Sequence, residues 1–155
     1  MLENLFDVSG AKSAPEDGEA KPSANAQALK NFSMILQLEG IQFKIFHWNS
    51  EKKGLSNHEL IDDMSDACKA LSDKLSETAI VMSGTPFKVE ITHFDFDYEY
   101  ADEKVYNLLK KIRNTVEELN SKGNYDGGVQ NMLTGFLDET YTLLYRFGFI
   151  GTGAK

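Results

Sequence analysis

The sequence predicts an all-α fold: four amphipathic helices in one bundle, a long connection between the second and third, and a flexible arm ahead of the first. Three observations carry that prediction. Apolar residues recur at helical spacing in four stretches of about 20 residues. Ser56 and the glycines at 84, 123 and 148 punctuate those stretches as start and stop signals. Only residues 89–100 alternate at the two-residue period of a strand, and no second convincing strand exists to pair with them.

Residues 1–27 are read as the arm. Their segment SGAKSAPEDGEAKPSANAQ holds too few large apolar groups to offset the entropy of ordering the chain. The tip, with Leu2, Leu5, Phe6 and Val8, is either a frayed terminus or an element that docks on another protein. Residues 28–150 form the bundle and 151–155 a short tail.

The first helix covers about residues 26–48. Leu29, Phe32, Ile35, Leu36, Leu38, Ile41, Phe43, Ile45 and Phe46 fall on more than one stripe, so burial on two sides is expected. Ser56 with Glu59 has the spacing of a capping box and opens the second helix. Its core positions Leu60, Met64, Cys68, Leu71, Leu75, Ala79 and Met82 run to Gly84, where Gly-Thr-Pro stops it. In VEITHFDFDYEY, Phe94, Phe96, Tyr98 and Tyr100 alternate with Asp95, Asp97 and Glu99, which reads as an extended linker laying its aromatics on the bundle. A third helix over about 101–121 presents Val105, Leu108, Leu109, Ile112, Val116 and Leu119. A fourth over about 127–147 presents Val129, Met132, Leu133, Phe136, Leu137, Leu143 and Leu144 and stops at Gly148. Two short links and one long crossover between the second and third helices describe a bundle of the ferritin-like kind.

Composition narrows the function. With 155 residues, 41% of them apolar, the chain suits one domain with a real core. Sixteen Lys+Arg against 24 Asp+Glu give a net charge of −8, which argues against direct DNA binding and favours cations as ligands. Arg113 and Arg146 are the only arginines, too few for bidentate readout of phosphates or base edges. The lone Cys68 cannot form an intrachain disulfide, and MLENLFDV lacks the basic start of a signal peptide. No apolar run approaches the roughly 20 residues of a membrane span. A cytoplasmic protein without a membrane partner is expected.

The chemistry concentrates on the second helix. With His58 at zero and about 100° per residue, Asp62 falls near 40°, Asp73 near 60° and Glu77 near 100°, opposite the apolar stripe. His58 and Asp62 lie one turn apart, as do Asp73 and Glu77. The two pairs are separated by about 16 Å of helix, so they cannot share an ion within one chain. Two antiparallel copies of this helix about a two-fold axis would bring the first pair of one chain to the second pair of the other, giving two identical sites per dimer. His47, closing the first helix, joins from the His58 side. Two imidazoles and three carboxylates form a mixed nitrogen and oxygen shell suited to Fe(II), in a mononuclear or dinuclear site, with Zn, Mn or Co as competitors. The bland reading of the same face is a solvated surface, since Asp66 and Lys69 share the arc; Ile80, also on the arc, hints at an interface.

Lys44, His47 and Trp48 in KIFHW, His58 in NHELIDD, then Asp62, Asp73 and Glu77 resemble the Dps, or mini-ferritin, family, whose first helix ends in His-Trp and whose second carries His, Asp, Asp and Glu at fixed distances. The resemblance is strong over residues 30–84 and thereafter rests on helix order and length. It implies a ferroxidase whose iron ligands are His47, His58 and Asp62 of one subunit with Asp73 and Glu77 of its two-fold mate. Lys44 and Trp48 would stand beside them. It further implies a hollow dodecamer that oxidises Fe(II), preferentially with hydrogen peroxide, and stores the ferric mineral. Three features depart from the family. The two histidines are 11 residues apart (58 − 47), about one fewer than usual. The arm carries Lys12 and Lys21 against Glu3, Asp7, Glu16, Asp17 and Glu19, where many members have lysine-rich tails that bind DNA. The HFDFDYEY crossover is no family feature.

A rival reading is a non-enzymatic ferritin-like structural or assembly protein, such as a phage or virion component, that uses the arm tip and the second helix for contacts. A nucleoid-binding module is weakest because of the charge. Among lesser signals, Glu90 and His93 spell the Glu-x-x-His of larger di-iron proteins once, beside a helix end. His93 with Asp95 and Asp97 offers a secondary surface metal site, against a plain solvated linker. Cys68 reads as a core residue, and Tyr141 and Tyr145 as structural.

Overall fold

The computed structural model describes residues 23–50, 55–88, 91 and 93–151. Four helices form it: α1 (Ala24–Asn49), α2 (Leu55–Ser83), α3 (Asp102–Lys122) and α4 (Gly127–Gly151). The expectations for the arm before residue 23 and the tail after 151 lie outside the described residues. Among the described residues there is no strand, and no helix is long and apolar enough to cross a membrane.

Local chemistry sets most ends. Ser23 caps α1, its Oγ accepting from the Ala26 N–H at 3.2 Å, so the helix begins two residues before the expected 26 and takes in part of the expected arm. α2 starts at Leu55, one residue ahead of the expected cap at Ser56. Gly84 ends α2 in the left-handed region at φ 62°, its N–H bonded to the Ile80 carbonyl at 2.9 Å, as Gly-Thr-Pro predicts. Asp126 caps α4 through Oδ1 and the Val129 N–H at 3.0 Å. Gly148 does not stop α4; a Cβ there would meet Tyr106 Cε2 at 3.0 Å, so its smallness admits the α3 tyrosine rather than a turn.

α1 packs chiefly along α2, α3 along α4, and the two pairs meet through α2 with α4 and, more lightly, α1 with α3. Around the bundle the order is therefore α1, α2, α4, α3. The core runs through Leu29, Leu36, Phe43, Leu60, Ile61, Met64, Leu75, Leu109, Leu133 and Phe147, all essentially inaccessible. Burial of α1 on two sides holds: Leu38 and Ile45 are buried as well as the stripe toward α2. The expected stripe of α2 is buried from Leu60 to Ala79, whereas Met82 in the last turn is exposed. α1 and α2 approach closely at Gly40, whose carbonyl accepts from Ser65 Oγ at 2.7 Å and where a Cβ would lie 3.3 Å from the Ser65 carbonyl oxygen.

The described residues between α2 and α3 (84–88, 91 and 93–101) have no regular structure, and side chains of α1 hold several of them. Buried Lys30 donates to Thr85 Oγ1 at 2.9 Å and to the Pro86 carbonyl at 3.4 Å, placing a cation at the C-terminal end of α2. The Gln42 amide pairs with the Asp97 backbone in both directions, donating to its carbonyl at 2.7 Å and accepting from its N–H at 2.8 Å. Asn49 donates to the Tyr98 carbonyl at 2.8 Å. Contacts at positions 30, 42 and 49 of α1 carry the connection along its length, so α3 begins at the end of the bundle where α1 finishes. The far ends meet as well: Asn25 donates to the Asn124 carbonyl at 3.1 Å.

Replacing Gln42 by Leu should free the middle of this connection. Two backbone groups lose their partners, at about 1–3 kcal/mol for each one left unsatisfied. The expected result is faster protease cleavage between residues 91 and 100 at unchanged helix content. A cleavage rate equal to wild type would show that Gln42 does not hold the path.

Candidate metal centre

Three of the expected ligands, His47, His58 and Asp62, sit where α1 ends and α2 begins. His47 lies in the last turn of α1 and His58 in the first turns of α2, and their rings stack at 3.6 Å between centroids with planes 24° apart. Each ring is held through Nδ1. His47 Nδ1 lies 2.9 Å from the His58 carbonyl oxygen. A carbonyl only accepts, so His47 carries its proton on Nδ1. His58 Nδ1 lies 3.1 Å from Ser50 Oγ, and that hydroxyl donates to the His47 carbonyl at 2.8 Å. Neither Nε2 has a partner among the described residues.

Asp62, one turn beyond His58, pairs through Oδ1 with the Lys44 ammonium. This hydrogen bond, with the nearby charges of His47 and Lys69, holds the Asp62 carboxyl below the usual carboxylate range against the opposing effect of partial burial. Its second oxygen has no partner among the described residues. Asp73 and Glu77 lie further along α2, both exposed and unpaired among the described residues. Trp48 beside His47 is 60% exposed, and Ile80, one turn past Glu77, is 39% exposed.

The structure thus brings Lys44, His47, Trp48, His58 and Asp62 together at one end of α2 and leaves Asp73 and Glu77 remote on the same chain. Among the described residues, no group of three or more His, Cys, Asp or Glu side chains is placed to hold an ion within one chain. The reason is visible in the donors. Asp62 is engaged by Lys44, and the lone pairs of two stacked rings lie in separate planes that do not meet within a metal–nitrogen bond of about 2.0–2.1 Å. Donor chemistry nevertheless fits Fe(II): two imidazoles whose Nε2 atoms have no partner among the described residues, one carboxylate oxygen likewise without a partner among them, and two exposed carboxylates for a neighbouring chain.

Ser50 was not among the residues singled out by spacing. A hydroxyl contacting one ring nitrogen and one carbonyl leaves no periodic trace; the only hint is its place directly after HWN.

The lesser candidates fare differently. His93 lies outside any helix, so Glu-x-x-His cannot act as a helical motif here, and Glu90 lies outside the described residues. His93 Nε2 pairs with Asp95 at 2.9 Å, but Asp97 is taken by Lys104 at 2.8 Å and by the Glu99 N–H at 2.9 Å, so the three do not converge. Cys68 is buried, and burial pushes its thiol well up, as befits a core residue. Tyr141 is 63% exposed and lies against Arg113, 5.8 Å from guanidinium to ring centre.

Comparison of the chain with models of known protein families, with curated proteins and with solved structures gave no match.

Proposed function

We propose that the chain is a ferritin-like, Dps-like ferroxidase that takes Fe(II) as substrate at sites shared between two subunits. The observation that carries this reading is the stacked pair His47 and His58, each bonded through Nδ1 and with no partner at Nε2 among the described residues. Metal-ligating histidines commonly show this pattern, since the outer bond fixes tautomer and ring orientation.

Asp62 supplies its free oxygen, and Asp73 and Glu77 of a two-fold mate complete each site. Exposed Trp48 and Ile80, one near each half of the ligand face, give an antiparallel partner apolar surface to cover. Two Fe(II) ions give one electron each to a hydrogen peroxide, whose O–O bond breaks as two protons are taken up and two waters leave. The order of helices around the bundle and the contacts of α1 with Thr85, Pro86, Asp97 and Tyr98 favour a ferritin-like crossover. A dodecamer storing ferric iron in the cytoplasm, with Zn, Mn or Co able to occupy the same ligands and no direct contact with DNA, completes the reading.

The test is an anaerobic Fe(II) titration of wild type, His58→Ala and Asp73→Ala, followed by addition of peroxide. Saturable binding in wild type, lost in both single variants and followed by rapid oxidation, is expected. A wild type that binds no more than the variants would overturn the reading and leave a ferritin-like assembly protein.

A further inference from the structure

The contacts of Ser50 close a ring of three hydrogen bonds between the end of α1 and the start of α2. The His47 side chain donates to the His58 carbonyl, His58 Nδ1 meets Ser50 Oγ, and Ser50 Oγ meets the His47 carbonyl. Ser50 is fully buried and its own N–H also bonds to the His47 carbonyl, at 3.2 Å.

A serine hydroxyl has one proton. The shorter contact, 2.8 Å, is to a carbonyl that can only accept, so the proton goes there. Toward His58, at 3.1 Å, the hydroxyl then offers only a lone pair, and His58 must supply the hydrogen from Nδ1. We propose that Ser50 is a positioning residue that holds His58 in its Nδ1–H tautomer, leaving Nε2 bare for a divalent transition-metal ion. The two histidines are thereby set by different means. His47 is fixed by a backbone carbonyl that no side-chain substitution removes, whereas His58 depends on one hydroxyl. The purpose assigned to the lock rests on the iron-site reading; the tautomer itself does not.

The experiment uses the full chain, metal-free, with ¹⁵N-labelled histidine at a pH of about 8, where an imidazole is neutral. Long-range ¹H–¹⁵N correlations report which ring nitrogen carries the proton. In wild type both His47 and His58 should read as Nδ1–H. In Ser50→Ala, His58 should shift toward Nε2–H while His47 stays unchanged, and Ser50→Thr should restore the wild-type pattern. Co(II) binding, followed by its visible absorption, should weaken about 10–100-fold in Ser50→Ala, the usual effect of removing an outer-shell partner, and recover in Ser50→Thr. His58 found as Nε2–H in wild type, or still wholly Nδ1–H in Ser50→Ala, overturns the proposal. Correct tautomers in a wild type that binds neither Co(II) nor Fe(II) uphold the lock and overturn the iron reading.

Discussion

Chains carrying His58→Ala, mixed under dissociating conditions with chains carrying Asp73→Ala and reassembled, should regain Fe(II) binding that neither variant retains alone. In a dimer of one of each, one site collects both substitutions and is lost. The other takes His58 and Asp62 from the Asp73→Ala chain and Asp73 and Glu77 from the His58→Ala chain, so it is intact. Random pairing by a two-fold operator makes about half the dimers mixed, and half their sites whole, giving about a quarter of wild-type capacity. The separation of the two ligand pairs along α2 makes this result specific, since a site inside one chain would give no recovery. Calorimetric titration of the reassembled mixture measures it. Zero recovery from a mixture shown by native mass spectrometry to contain mixed dimers would rule out the shared site.

Phe43→Ala should be among the most destabilising single substitutions. Phe43 is fully buried on the helix that is enclosed on two sides, where little space exists for neighbours to collapse into the vacated volume. Truncating a buried aromatic costs about 3–5 kcal/mol, a large share of the roughly 5–15 kcal/mol that holds a domain folded. A melting temperature lower by on the order of 10 °C follows for a chain of this size. Urea unfolding at fixed protein concentration checks it, with the slope expected to stay constant. The control is Tyr141→Ala on the exposed face of α4, which should change stability by less than about 1 kcal/mol. Equal effects of the two substitutions would show that Phe43 is not confined as its burial indicates.

What periodicity could reveal and what it could not follows from the kind of interaction involved. The stripe from Leu60 to Ala79 was legible because burial against a neighbour repeats with the helix, and Gly84 because a positive φ excludes most other residues. Met82 shares that stripe yet is exposed, since it lies in the last turn of α2. Gly148 looked like a stop and is a point of close approach, a distinction set by Tyr106 on another helix. At the candidate site, one-turn spacing identified His58 with Asp62 and Asp73 with Glu77. Ring stacking, the Lys44 ion pair and the Ser50 hydroxyl depend on how α1 and α2 pack against each other, which spacing along one helix does not carry. Buried Lys30 was equally invisible, because its partners are the hydroxyl and carbonyls around Pro86, 55 and 56 residues away.

The way α1 holds the connection makes substitution tolerance one-sided. Gln42 and Asn49 reach carbonyls and an N–H of Asp97 and Tyr98, groups that nearly every amino acid provides, and Lys30 binds mostly the same kind of partner. The host side is therefore written in three particular side chains, while the guest side is written in backbone common to almost any sequence. Lineages sharing this arrangement could let the guest segment drift, or acquire new surface chemistry there, without rerouting it, so long as the three hosts persist. An unusual sequence in this segment is then no sign of an unusual course through the molecule.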